Sequence, residues 1–148
     1  MTATLQTKVY FEDVEVGQEI PPLNKNCSTQ QLVIWAAGSG DFYQIHYDPP
    51  FATEIAQLPG IIVHGALKHG FLGQLVSDWV GDPRAIKRVG CAYRGMDFPD
   101  QDIVCRGVVT AKRQEGGENL VELDIWTENP DGQKTTPGTA VVRLPSRK

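Results

Sequence analysis

The run from Gly65 to Val80 constrains the fold of this chain more than any other segment. On a helical wheel, Leu67, Phe71, Leu72, Leu75, Val76, Trp79 and Val80 cover more than half of the circumference. A surface helix carries one apolar stripe, so a helix this apolar must be covered by more than one neighbour. Gly81-Asp82-Pro83 stops it. Gly70 and Gly73 lie inside it and cost roughly 1 kcal/mol each there, so a close approach to that backbone is expected.

The covering layer follows Pro83. Ile86 to Tyr93, Asp102 to Arg113, Leu120 to Glu128 and Thr136 to Leu144 carry β-branched and aromatic residues. Alternation is clearest from Val121 to Trp126, and Gly116-Gly117 and Asn129-Pro130-Asp131-Gly132 separate the runs as turns. Links this short predict an antiparallel meander. A further short strand is expected between Val9 and Leu23, closed by Pro21-Pro22. The fold class is therefore α+β, a five-stranded antiparallel sheet wrapped around one long central helix. Such a sheet has open edges, which pairing across a dimer would protect.

Smaller elements fill the first half. Ser28 with Gln31 makes a capping box before a short helix over Leu32 to Ala37, ended by Gly38 and Gly40. Residues 39–50 read as a loop held by Pro49-Pro50, and a second short helix is expected from Phe51 to Gln57. Residues 1–8 are polar and read as flexible, and the 148 residues fit one domain, 1–148.

A net charge of −4 argues against a nucleic-acid partner, which requires a basic face. The run Arg84-Ala85-Ile86-Lys87-Arg88 is an ordinary solvated surface rather than a phosphate site. Cys27, Cys91 and Cys105 lack metal or redox spacing, which predicts reduced, mostly buried thiols and a cytoplasmic setting. No signal-peptide pattern opens the chain, and no apolar run reaches the ~18–20 residues of a membrane span.

Chemistry concentrates in two places. Asp41 and His46 share the segment Gly40-Asp41-Phe42-Tyr43-Gln44-Ile45-His46-Tyr47-Asp48. A carboxylate and an imidazole beside one cleft divide acid and base duties. The spacing alone equally fits an Asp that caps a loop and a His satisfied by a carbonyl. His64-Gly65 opens the long helix, where exposed N–H groups and the helix dipole favour developing negative charge, as in an oxyanion hole. The alternative there is a glycine that permits a tight turn and a His that caps or packs. Lys68 and His69 read as facing solvent or a partner. No HExxH or Cys/His set is present, so no metal is expected, and GxGxxG and P-loop motifs are absent.

Taken together, Asp41-x4-His46-x-Asp48, then Phe51-Ala52, then Ile62-Val63-His64-Gly65 resemble the MaoC-like hotdog family of (R)-specific enoyl-CoA hydratases and (3R)-hydroxyacyl thioester dehydratases. The similarity runs from Gly17 to Leu144. It implies a hotdog fold and an acyl-thioester substrate whose CoA or acyl-carrier pantetheine arrives with it, without a separate cofactor. It implies that Asp41 and His46 hold the catalytic water, with His46 as base and Asp41 as proton partner for Cα, and that the Gly65 N–H binds the thioester oxygen. It places Tyr43, His64 and Gly73 around the substrate. It also implies a homodimer, or a heterodimer with a second hotdog subunit. A carrier-protein dehydratase subunit, a hotdog thioesterase and a non-catalytic partner subunit remain alternative readings. Three departures from the family pattern bear on the substrate: Tyr43-Gln44 for Asn-Pro, Gly73 for a serine, and Met96 to Asp102 for Pro-Val-x-Pro-Gly-Asp. A small residue at 73 would make room for a bulky or branched acyl group.

Overall fold

In the computed structural model, which describes residues 8–147, the apolar run forms one helix, α2 (Gly65–Val80), with the expected bounds. Leu67, Phe71, Leu72, Leu75, Val76 and Val80 are buried on it. A five-stranded antiparallel sheet curls around α2 and touches it from every strand. The strands are β1 (Leu23–Asn26), β2 (Ile86–Cys91), β3 (Asp102–Glu115), β4 (Glu118–Glu128) and β5 (Lys134–Arg143). Along β4, Val121, Leu123, Ile125 and Thr127 face the core, as the alternation predicts.

The strand order is β1-β3-β4-β5-β2, so only β3, β4 and β5 form the expected meander. β2 pairs with β5, Val89 opposite Ala140, and not with its successor β3. The chain leaves α2 at the far edge of the curled sheet, and residues 92–101 carry it back across to β3. β1 also differs from expectation, because it follows Pro21-Pro22 instead of preceding them. Proline has no N–H to give to a ladder. Before the prolines the chain only brushes β3, through Gly17 N to Val109 O at 2.8 Å and Ile20 N to Gly107 O at 3.0 Å.

The N-cap half of the capping box forms: Ser28 Oγ accepts from Gln31 N at 3.2 Å and starts α1 (Thr29–Ser39). The second short helix is a single π-type turn, Phe51–Ile55, whose Phe51 N donates to Asp48 Oδ1. Among the described residues, and apart from the helix's own neighbouring backbone, no atom lies within 4 Å of a Cβ built on Gly70 or Gly73, so the expected close approach is not made there. Residues 1–7, expected to be flexible, lie outside the described residues. No helix among the described residues is long and apolar enough to cross a membrane.

Lys68 also departs from expectation. It is buried, with its Nζ 2.7 Å from Asp97 Oδ2 and 2.9 Å from Gly95 O. Its charge suggested solvent, but Lys68, Phe71, Leu72 and Leu75 share the i, i+3, i+4, i+7 face of α2 that points into the core. A buried ammonium is tolerable only with such partners.

Candidate active site

The site begins where α1 ends. Gly40 takes the left-handed conformation (φ 79°) and donates its N–H to Ala36 O at 2.9 Å, which turns the chain out of the helix. Ser39 Oγ donates to Trp35 O and accepts from Asp41 N at 3.2 Å. Asp41 Oδ1 then accepts from Tyr43 N at 3.3 Å. One carboxylate oxygen is thus tied to the loop, while Oδ2 faces His46.

His46 ends a 3₁₀ turn, Gln44–His46, that is laced to Ile62. Ile62 N donates to Ile45 O at 3.1 Å, and His46 Nδ1 lies 2.7 Å from Ile62 O. A carbonyl oxygen only accepts, so Nδ1 carries the proton and the neutral ring presents its lone pair at Nε2. Nε2 stands 4.0 Å from Asp41 Oδ2. That gap is too wide for a direct hydrogen bond but admits a water at about 2.8 Å from each atom. Both neighbours are acceptors, so such a water gives them its two protons and turns a lone pair outward.

His64 lies behind the pair. Its ring stacks on that of His46 with centroids 3.7 Å apart and planes 20° from parallel. Its Nε2 donates to Asp41 O at 3.2 Å, and its Nδ1 is buried without a partner. His64 is fully buried, so its side chain presents no surface to a ligand; it braces Asp41 and His46 from inside. Burial first, and the neighbouring His46 second, lower its pKa below the usual 6.5, against a smaller opposing pull from Asp41. The unfolded chain therefore binds the His64 proton more readily, and stability rises with pH across that window. The contribution is full above about 6.5 and is lost as pH falls towards the depressed folded value. Denaturant midpoints at pH 7.5 and 5.5 are expected to drop on acidification, and to drop less in His64→Asn.

Donor atoms of Asp41, His46 and His64 lie within 4.8 Å of one another, close enough to be weighed as a metal site although no metal spacing marks the sequence. The rings nevertheless lie in near-parallel planes, so their in-plane lone pairs do not converge on one point. Convergence would break the bond to Ile62 O or to Asp41 O. These residues suit proton transfer better than metal binding.

Gly65 opens α2, and as the first helical residue its N–H has no intrahelical acceptor. A Cβ built on Gly65 would meet the Tyr93 ring at 2.8 Å. Tyr93 thus walls the helix start, a contact that its place at the end of a strand run did not reveal. Tyr43 stands beside the dyad, edge-on to His46 with ring centroids 6.4 Å apart. Gly73 is not brought to this cluster, since it lies about 12 Å further along α2. An apolar cleft of about 390 Å³ opens between α1 and α2, lined by Ile34, Trp35 and Leu67. A cleft of about 650 Å³ at the opposite end of α2 holds Glu118, already engaged by Lys87 and Arg143. The thiols stay protonated: burial pushes Cys105 up to about 12 and also raises Cys27 and Cys91.

A curled five-stranded sheet around one helix, with an Asp–His pair at the head of that helix, defines a hotdog protein. Residues 4–129 match the MaoC like domain. An (R)-specific enoyl-CoA hydratase from Aeromonas caviae is 32% identical over 142 residues, spanning 90% of this chain and 98% of that protein. The solved (R)-hydratase from A. caviae involved in PHA biosynthesis superposes with a TM-score of 0.80 at 27% identity, over 90% of this chain and 99% of the other. A MaoC-like dehydratase superposes with a TM-score of 0.84 at 28% identity, over 93% of this chain and 42% of the other. The chain belongs to the MaoC-like domain family.

Proposed function

We propose that this protein is a hydro-lyase that reversibly hydrates a trans-2-enoyl thioester to the (3R)-3-hydroxyacyl thioester, with CoA as the preferred carrier. The observation that carries the reading is the arrangement of His46: Nδ1 bound to Ile62 O, with Nε2 4.0 Å from Asp41 Oδ2. The similarity to the (R)-specific enoyl-CoA hydratase from A. caviae supports the CoA thioester and the product hand.

In the hydration direction, a water between Nε2 and Oδ2 attacks Cβ and loses one proton to His46 Nε2. The new hydroxyl still spans the 4.0 Å between the two side chains, so that proton passes through it from Nε2 to the Asp41 carboxylate, which delivers it to Cα on the same face. Water is added, and the dyad ends as it began. The Gly65 N–H at the positive end of α2 receives the enolate oxygen between the two steps. No cofactor takes part, because pantetheine arrives with the substrate. Tyr43 walls the acyl end of the site.

A dimer, with itself or with another hotdog subunit, completes the proposal. Its support is the edge of β2, unpaired among the described residues, and the exposure of Phe42, Tyr43, Ile55, Tyr93 and Met96. Sedimentation of the purified chain tests this, and a monomer would count against self-pairing.

The activity test is loss of the conjugated enoyl absorbance with crotonyl-CoA, followed by chiral analysis of the product, with and without a chelator. Formation of the (3S) alcohol, or release of free CoA without hydration, would overturn the reading. The second result would indicate a thioesterase.

A further inference from the structure

We propose that the buried Lys68–Asp97 pair is a positioning device that pins residues 93–97 to the first turns of α2 and thereby holds the Tyr93 ring against Gly65 at the head of that helix. Its kinetic consequence rests on the hydratase reading; the pinning itself does not.

Residues 92–101 connect β2 to β3 without regular structure, and Tyr93 to Met96 are exposed along it. A connection of this kind samples many conformations unless it is tied down. Here the ties converge. Lys68 Nζ reaches Gly95 O at 2.9 Å and Asp97 Oδ2 at 2.7 Å. Val63 N, just ahead of the helix, donates to Asp97 O at 2.8 Å. Arg94 N and Gly95 N both donate to Thr135 O, at 3.0 and 2.9 Å, on the strand side. Lys68 is one turn beyond His64 and donates its own N–H to His64 O at 3.2 Å. The ammonium therefore fastens the segment to the same helix turn that carries His64 and Gly65.

Stability alone does not account for such a pair, because apolar replacements of buried ion pairs are often neutral or better. Asp97 Oδ1 is moreover buried without a partner, so the pair is not fully satisfied. What an apolar pair lacks is direction, and direction is what holds the Gly95 carbonyl and, two residues away, the ring of Tyr93. That ring lies so close to Gly65 that an added Cβ would meet it at 2.8 Å.

Amide hydrogen exchange and hydration kinetics on wild type, Lys68→Met, Lys68→Met/Asp97→Leu and Tyr93→Ala test the proposal. Lys68→Met leaves a buried carboxylate unpaired and is expected to lower Tm by roughly 10 °C. The double variant, with both charges gone, should recover most of that loss and carries the test if the single variant fails to fold. In the double variant, amides 93–97 are expected to exchange about 10-fold faster while those of β4 stay unchanged. Its kcat on crotonyl-CoA should fall about 10-fold with KM altered less than about threefold. Tyr93→Ala should give a similar fall and add nothing further on the double-variant background. Unchanged exchange at 93–97 would overturn the pinning. Losses that multiply with Tyr93→Ala, or an unaltered kcat, would overturn the action through Tyr93. A wild-type protein that hydrates no enoyl-CoA would sink the hydratase reading instead, and the exchange measurement would still decide the pinning.

Discussion

His46→Ala is expected to lower kcat for enoyl-CoA hydration by roughly 10³-fold, within the range that a positioned acid or base contributes. Nδ1 is committed to Ile62 O, so Nε2 is the nitrogen left for the water, and alanine removes it. Asp41→Asn tests the other half at almost constant shape. Its amide oxygen still accepts from Tyr43 N, while the atom facing His46 becomes an NH₂ donor. A water that needs two acceptors then meets a donor on one side, and kcat is expected to fall by about 10²–10⁴-fold. KM should move far less, because both changes remove proton-transfer groups rather than bulk binding surface. The two residues handle one proton between them, so the double variant should be scarcely slower than the worse single variant. Steady-state rates on crotonyl-CoA, beside melting curves for each variant, make the check. Wild-type rates in either single variant would sink the dyad, provided the protein remains folded.

Gly65→Ala should be nearly as damaging, for a different reason. The N–H survives the substitution, but the new Cβ would lie 2.8 Å from Cγ and Cδ2 of Tyr93. Either the ring swings out or the helix start shifts. The first opens the wall beside Gly65, and the second moves the N–H away from the place where the proposed enolate oxygen would sit. Loss of one oxyanion donor costs about 10²–10³-fold in kcat, and overpacking costs about 1–3 kcal/mol of stability. The steric cause has its own control. In Gly65→Ala/Tyr93→Ala the obstructing ring is gone, so stability should return and kcat should rise to the level of Tyr93→Ala alone. A double variant as slow as Gly65→Ala would show that the contact with Tyr93 is not the cause.

The two readings left open for Asp41 and His46 turn out to be compatible. His46 is satisfied by a carbonyl, that of Ile62, and Asp41 does secure its own loop through Tyr43 N. Each uses one polar atom in this way and keeps the other for its partner. The bonds that secure the loop therefore also orient Nε2 and Oδ2 towards each other. The readings of His64 resolve differently. It forms no side-chain cap on α2 and instead packs flat against His46.

Elements that depend on neighbouring residues were legible from the residue pattern. The bounds of α2, the Ser28 cap, the end of α1 at Gly40 and the inward face of β4 all follow from local stereochemistry and apolar period. The same holds for the proximity of Asp41 to His46, which are carried by one loop. Features that join distant segments were decided only by the tertiary structure. β2 pairs with β5 because a sheet curling around α2 brings its last strand beside the first strand after the helix. Lys68 is buried because Asp97, 29 residues away, neutralises it. Tyr93 covers Gly65 because the return from β2 to β3 passes over the head of α2. Periodicity and capping report the surroundings of a residue along the chain, whereas these contacts arise from how the sheet closes around the helix, which no single segment encodes.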